Sequence, residues 1–267
     1  GALKTSVVVE NREGAGGAIG TAAAAKAPPD GHSILLGVTT LTVSPHMQAN
    51  PSYDPIADLV PIVKVAELPL MLIVNTDAPF KTLRDLVAHA RANPGALSYA
   101  TSGKGSPSHL AVELIRQATK IDVRDIPYKN VGQAMTDTIS GQISFYFPAI
   151  TAGIPQVKGG KVRPLAVGAV QRSPQMPAVP TLVEEIGTPG LEVITWYGLF
   201  GPAGISRDIV NRLHTETARL MEGAELRDRI VKGGFDIAVS GPEEFGAQVR
   251  ADVAKYGKLV RELGLKE

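Results

Sequence analysis

The sequence has no cysteine, only 5% aromatic residues, a near balance of charge and no long apolar run. Each absence removes a class of protein. Without cysteine there are no disulfides, thiolate metal sites or cysteine nucleophiles. Twenty-seven basic against 26 acidic side chains leave a net charge of +1. That is no broad field for nucleic acid or an anionic membrane, so a bound anion must be held by local geometry. No run of about 18 apolar residues appears, so no helix is long and apolar enough to cross a membrane. The opening Gly1-Ala2-Leu3-Lys4 lacks the charged region, apolar core and cleavage site of a signal peptide. It runs at once into Val7-Val8-Val9, an abrupt start that leads us to expect a preceding segment. What is present is a chain of 267 residues, 44% hydrophobic, enough to pack one large domain or two compact ones. Its 28 glycines and 20 prolines suit an α/β protein with many tight loops and argue against a coiled coil.

Strand-like and helix-like stretches alternate. Strands are expected at Ser6–Glu10, Ser33–Val38, Leu70–Asn75, Leu97–Thr101, Val123–Pro127, Ile143–Phe147, Leu165–Val170 and Val193–Phe200, with a short one at Phe235–Val239. Several are continuous apolar runs, as in parallel strands covered on both faces. Thr82-Leu83-Arg84-Asp85, Thr181-Leu182-Val183-Glu184 and Ser240-Gly241-Pro242-Glu243 read as capping boxes, and Ser106-Pro107 as an N-cap with proline at the first helical position. After Phe200 the texture turns helical: Ile209, Leu213 and Leu220 share one face, and Phe245, Val249, Val253, Tyr256, Val260 and Leu263 another.

Two loops could carry chemistry. Gly14-Ala15-Gly16-Gly17-Ala18-Ile19-Gly20 precedes an alanine-rich helix over Thr21–Ala27, where backbone N–H groups and the helix dipole favour an anion. It is no dinucleotide fingerprint, because the third glycine of G-x-G-x-x-G would fall at Ile19 and the next strand ends in Thr39-Thr40 rather than an acid. A glycine loop used only for tight packing is the bland alternative. Thr101-Ser102-Gly103-Lys104-Gly105-Ser106 lies between a strand and the Pro107 helix. It is not a Walker A loop, since Gly105 follows Lys104 and position 98 is Ser98. What remains is a hydroxyl-rich turn suited to an oxyanion, or a structural cap at Ser106. Two anion-ready turns, with Thr39 and Thr40 at the end of a third strand, fit capture of a small carboxylate by converging donors. Catalytic and metal patterns are weak. His32, His46, His89, His109 and His214 show no metal-ligand spacing, no G-x-S-x-G elbow exists, and Glu184-Glu185 reads as a solvated helix start. His109, in the first turn after Ser106, is placed to line the same site.

These residues also carry a resemblance. Val8-Val9-Glu10-Asn11-Arg12-x-Gly14-Ala15-Gly16-Gly17-x-Ile19-Gly20 resembles the signature of the tripartite tricarboxylate transporter receptors, the Bug-type periplasmic solute-binding proteins. Pro29-Asp30-Gly31, Tyr53-Asp54-Pro55, Gly103-x-Gly105-Ser106 with His109-Leu110, Pro127-Tyr128-Lys129, Gln171-Arg172-Ser173-Pro174 and Trp196-x-Gly198 follow in family order, so the likeness covers nearly the whole chain. It implies an α/β type II periplasmic binding fold, two Rossmann-like lobes with a ligand cleft between them in Venus-flytrap fashion. Lobe one is expected at 1–97 and 198–267, lobe two at 98–197. The resemblance further implies a monomeric periplasmic protein that captures a mono-, di- or aromatic carboxylate for a two-subunit membrane permease, with no cofactor, metal, nucleic acid or bond chemistry. Carried over by position, the ligand site comprises Ala15, Gly16, Gly17, Thr39, Thr40, Thr101, Ser102, Gly105, Ser106, His109, Tyr128, Phe147 and Pro148. The chain departs from the family in lacking its first strand–loop–helix unit and in having Asn130 for a glycine. It also has Phe147-Pro148 where an acidic or small residue is usual, which favours plain carboxylates over amino acids. A carboxylate sensor docked on a signalling partner is the alternative reading, and a cofactor-dependent α/β enzyme a more distant one.

Overall fold

The structure is a computed structural model that describes residues 6–12, 14 and 17–265. In chain order its elements begin with α1 (Ala18–Ala25), β1 (Leu35–Val38), α2 (Thr40–Met47), β2 (Leu59–Pro69), β3 (Met71–Asn75), α3 (Leu83–Ala92) and β4 (Ser98–Thr101). There follow α4 (Pro107–Thr119), β5 (Arg124–Pro127), α5 (Val131–Ile139), β6 (Phe145–Tyr146), α6 (Ile150–Lys158) and β7 (Val162–Val167). The chain closes with α7 (Leu182–Ile186), β8 (Ile194–Pro202), α8 (Arg207–Met221), α9 (Ala224–Lys232), β9 (Asp236–Ser240) and α10 (Pro242–Glu262). It divides into two units: residues 1–67, 195–233 and 237–267 form the first, 68–194 and 234–236 the second.

The first unit is built on a four-stranded sheet of order β1-β8-β2-β9. β1 and β8 are antiparallel, with Leu35 opposite Phe200 and Gly37 opposite Gly198. The paired glycines have a steric reason. A Cβ at Gly198 would lie 2.4 Å from the Phe245 ring, and one at Gly37 2.8 Å from the Phe200 ring. The space they leave holds an aromatic cluster in which the Trp196, Phe200 and Phe245 ring centroids are 5.1–5.8 Å apart. All three side chains are fully buried.

The Trp196 indole N–H donates to Asp252 Oδ2 on α10 (2.7 Å). Burial raises the Asp252 carboxyl above the usual carboxylate range, against the opposing pull of that bond and of Lys255 and Lys64. A raised folded-state pKa means that stability is greatest below the unfolded value and is lost as pH rises through the folded one. Asp252→Asn keeps an acceptor for the indole and removes the titration. Wild-type stability relative to this variant is expected to fall in urea denaturation as pH rises above the ordinary carboxylate range.

The second unit carries a five-stranded sheet of order β5-β4-β6-β3-β7. β4 runs parallel to β5 and β6, whereas β3 is antiparallel to β6 and β7, so the sheet is mixed rather than wholly parallel. Because β3 pairs inside this sheet, residues 68–97 belong to the second unit, and the boundary expected at 97/98 falls within it.

The capping boxes at Thr82 and Thr181 form, with Asp85 and Glu184 closing them. Three local expectations are corrected. Ser6–Glu10 forms no strand: no ladder pairs with it among the described residues, and Val7, Val8 and Val9 are exposed. Ser240 is not an N-cap. It ends β9, and Gly241 caps α10 with no side-chain bond. Thr39 and Thr40 do not end a strand, since β1 stops at Val38 and Thr39 is the N-cap of α2. The strand β2 went unforeseen, and no range was expected for the helices α2, α5, α6 and α9.

Candidate functional site

The best-built polar feature is the turn from Thr101 to Ser106 in the second unit. β4 delivers Thr101 at its C-terminal end, and α4 begins at Pro107, whose missing N–H is no loss at the first helical position. Thr101 is 1% exposed, and its hydroxyl is the hub of the turn. The Gly103 N–H donates to Thr101 Oγ1 and Thr101 Oγ1 donates to the Gly103 carbonyl, each at 3.0 Å. Ser106 Oγ lies 2.9 Å from Thr101 Oγ1 and 3.2 Å from Ser108 Oγ, and accepts from the His109 N–H (3.4 Å). One assignment satisfies these three hydroxyls: Ser108 donates to Ser106, Ser106 to Thr101, and Thr101 to Gly103. Gly103 (φ 114°) and Gly105 (φ 75°) take the left-handed conformation that the tight turn requires.

With the turn's own hydroxyls engaged, its outer side keeps donors. The exposed Ser102 hydroxyl and the Ser102 and Lys104 backbone N–H groups make no hydrogen bond among the described residues. They stand ahead of the N-terminus of a 13-residue helix, whose dipole favours negative charge. Beneath the turn the His109 imidazole is buried, its Nδ1 accepting from the Gly105 N–H (3.3 Å). Tyr128 is held alongside, its N–H donating to the Thr101 carbonyl (2.8 Å) as β5 continues past Pro127. The Tyr128 hydroxyl donates to Asp137 Oδ2 (2.7 Å). Burial and that carboxylate push the phenol up to about 12, so it remains a donor at neutral pH. Phe147 and Pro148 follow β6 at the same end of the sheet. Both are buried, and the Pro148 carbonyl accepts from the Met71 N–H (2.9 Å).

The structure therefore gathers Thr101, Ser102, Gly105, Ser106, His109 and Tyr128 around one strand end. In the first unit, Gly17 is the exposed N-cap of α1, with φ 95° and open space where a Cβ would stand. Its carbonyl accepts from Thr21 Oγ1 (2.9 Å), and its N–H donates to the Gly14 carbonyl (2.9 Å). Ala15 and Gly16 lie outside the described residues. Thr39 is buried, and its Oγ1 accepts from the Trp196 backbone N–H (2.9 Å), while Thr40 opens α2 half-buried. Sequence reasoning missed Ser108 and Glu113 as parts of the turn's support. The signal was available for Glu113, which stands one helical turn beyond His109 on the same face. Among the described residues no group of three or more His, Asp or Glu side chains is arranged to hold a metal ion.

Comparison with known proteins agrees with this architecture. The profile of the tripartite tricarboxylate transporter family receptor (TctC) matches residues 2–265. A protein of Pseudomonas sp. (strain P51) from the tcbD-tcbE intergenic region is 35% identical over 97% of this chain and 77% of its own length. Among solved structures, R. palustris Rpa4515 with adipate has TM-score 0.77 and 29% identity, covering 97% of this chain and 87% of that one. MatC of Rhodopseudomonas palustris with bound malate has TM-score 0.73 and 27% identity, covering 97% and 89%.

Proposed function

The chain belongs to the tripartite tricarboxylate transporter receptor family, and from that premise we propose that it captures a small carboxylate for a two-subunit membrane permease. The protein acts as a monomer in the periplasm, binds reversibly and makes or breaks no bond. The observation that carries this reading is the Thr101–Ser106 turn, which engages its own hydroxyls internally and keeps the Ser102 hydroxyl and the Ser102 and Lys104 amides for a ligand. Such donors suit an oxyanion and need no buried cation beside it. Gly105, Ser106, His109 and Tyr128 shape this site, and Phe147 and Pro148 lie at the same end of the sheet; on the first unit Gly17, which follows Ala15 and Gly16 in sequence, and Thr39 and Thr40 are separate candidates. Adipate and malate, bound by two structural neighbours, are both dicarboxylates and set the first compounds to try.

The test is thermal shift against mono-, di- and aromatic carboxylates, amino acids and nucleotides. A ligand at 100 times its dissociation constant stabilises the protein by about 2.7 kcal/mol, which raises the midpoint by several degrees. Carboxylates are expected to give that shift, and Ser102→Asp, which sets a negative charge among the donors, to remove it. A transition moved only by nucleotides, or carboxylate binding untouched in Ser102→Asp, would overturn the assignment.

A further inference from the structure

His109 stands out as a buried titratable group with a hydrogen bond at one ring nitrogen and a carboxylate facing the other. It is the third residue of α4, and its Nδ1 accepts from the Gly105 N–H (3.3 Å). Accepting there requires a lone pair on Nδ1, so the neutral ring carries its hydrogen on Nε2. Nε2 faces Glu113 Oε1 at 4.0 Å. Glu113 is itself buried and is anchored by Arg116 Nη1 (2.7 Å), with the Tyr99 hydroxyl at 3.5 Å.

The Lys104–Gly105 peptide is trans, so with its N–H turned inward to His109 its carbonyl points the opposite way. An outward carbonyl opposes a carboxylate, whereas an outward N–H would bind one. Reversing this peptide exchanges one for the other, and glycine at 105 is the residue type that tolerates either backbone state. Protonation of His109 drives that reversal: a hydrogen on Nδ1 faces the Gly105 N–H, two donors cannot bond, and the reversed peptide offers the Lys104 carbonyl instead.

We propose that His109 is a positioning residue that holds the Gly105 amide away from the ligand while neutral and releases it on taking up a proton, so that carboxylate capture is coupled to proton uptake. The proposal rests on the reading of the Thr101–Ser106 turn as the carboxylate site. The groups around the imidazole set where this happens. Burial lowers the His109 pKa most, Arg116 and Lys104 act in the same direction, and Glu113 and Asp125 oppose them. The ring is therefore neutral at pH 7 and charges on acidification, with Glu113 already facing Nε2 to receive the imidazolium. The freed amide and the new positive charge both favour a carboxylate, so affinity rises as pH falls.

His109→Asn provides the control, because its Oδ1 can take the place of Nδ1 as a permanent acceptor that does not titrate. Two measurements on the whole chain test the idea. The first follows the Gly105 amide and the His109 ring resonances by NMR from pH 7.5 downward through the imidazole titration, without ligand. The Gly105 resonance is expected to titrate in the wild type and stay fixed in His109→Asn; a Gly105 resonance fixed in both would overturn the proposal whatever the ligand. The second is calorimetric titration with adipate in buffers of different ionisation enthalpy. The ratio of His109→Asn to wild-type dissociation constants is expected to rise about fivefold to tenfold as pH falls through the His109 titration, one hydrogen bond's worth, with more proton uptake per adipate bound in the wild type than in the variant. The ligand's own titration cancels in that ratio. Adipate binding with a constant ratio and equal proton exchange in the two proteins would also overturn it. Failure of adipate and malate to bind at any pH of the titration would count against the proposed function, while the Gly105 resonance would still decide the role of His109.

Discussion

Trp196→Ala is expected to lower the free energy of unfolding by about 3–5 kcal/mol, the largest effect of any single substitution considered for this chain. Two losses combine. The indole leaves a void between Phe200 and Phe245, whose rings lie 5.8 and 5.1 Å from it. The substitution also strips the Asp252 carboxylate of the N–H that meets it at 2.7 Å in a largely buried setting. The bond from the Trp196 backbone N–H to Thr39 Oγ1 is independent of the side chain and survives. Trp196→Phe keeps most of the ring packing and forfeits only the N–H, so its cost should be about 1–3 kcal/mol. Urea denaturation followed by circular dichroism distinguishes the two. Equal losses in both variants would mean that the hydrogen bond, not the packing, holds the cluster. Against a total stability of about 5–15 kcal/mol, the alanine variant would be close to unfolding at physiological temperature.

The second large effect is expected from Thr101→Val, which preserves shape and removes one oxygen. That oxygen accepts from the Gly103 N–H, donates to the Gly103 carbonyl and meets Ser106 Oγ, all within 3.0 Å. Its removal leaves the half-buried Gly103 N–H without its acceptor and takes one partner from the Ser106 hydroxyl, a cost of about 1–3 kcal/mol in stability. Adipate affinity is expected to fall by about tenfold or more, because the turn no longer fixes the Ser102 and Lys104 amides. Thr101→Ser keeps the hydroxyl and should retain most of both properties. A Thr101→Val protein that binds as tightly as the wild type would remove this turn from the site.

How much of this was legible in the sequence depends on the range of the interaction. Local chemistry was readable: the caps at Thr82, Ser106 and Thr181 follow from hydroxyls three residues ahead of the N–H groups they receive. The strand–turn–helix around Thr101 was equally plain. β2 was not, because its buried positions 59, 62, 63, 66 and 69 step mostly by three and imitate a helical face. α2 was hidden by three threonine and valine positions and by Pro45 inside it. Ser240 matched the spacing of a capping box, yet Gly241 takes the cap and Ser240 stays in the strand. The role proposed for His109 lay beyond any spacing rule. It depends on which ring nitrogen faces Gly105, and that is a matter of side-chain rotation within a folded turn. The unit boundary escaped for a similar reason, since nothing in Met71–Asn75 itself discloses that it pairs with Val162–Val167.

The interleaving of the two units also sets an order of assembly. Residues 68–194 emerge from a ribosome as one stretch, and only 234–236 must be awaited to finish the second unit. The first unit has no such continuity. Thr39 meets Trp196 157 residues later, β1 has no ladder until β8 exists, and α2 packs on the last helix of the chain. At about 5–20 residues per second, roughly 8–30 s of synthesis separate Thr39 from Trp196. During that interval the half-made unit presents Leu41 and Tyr53 with their eventual cover not yet translated. The later-encoded unit can thus close before the earlier-encoded one, whose core partners are the last to be made.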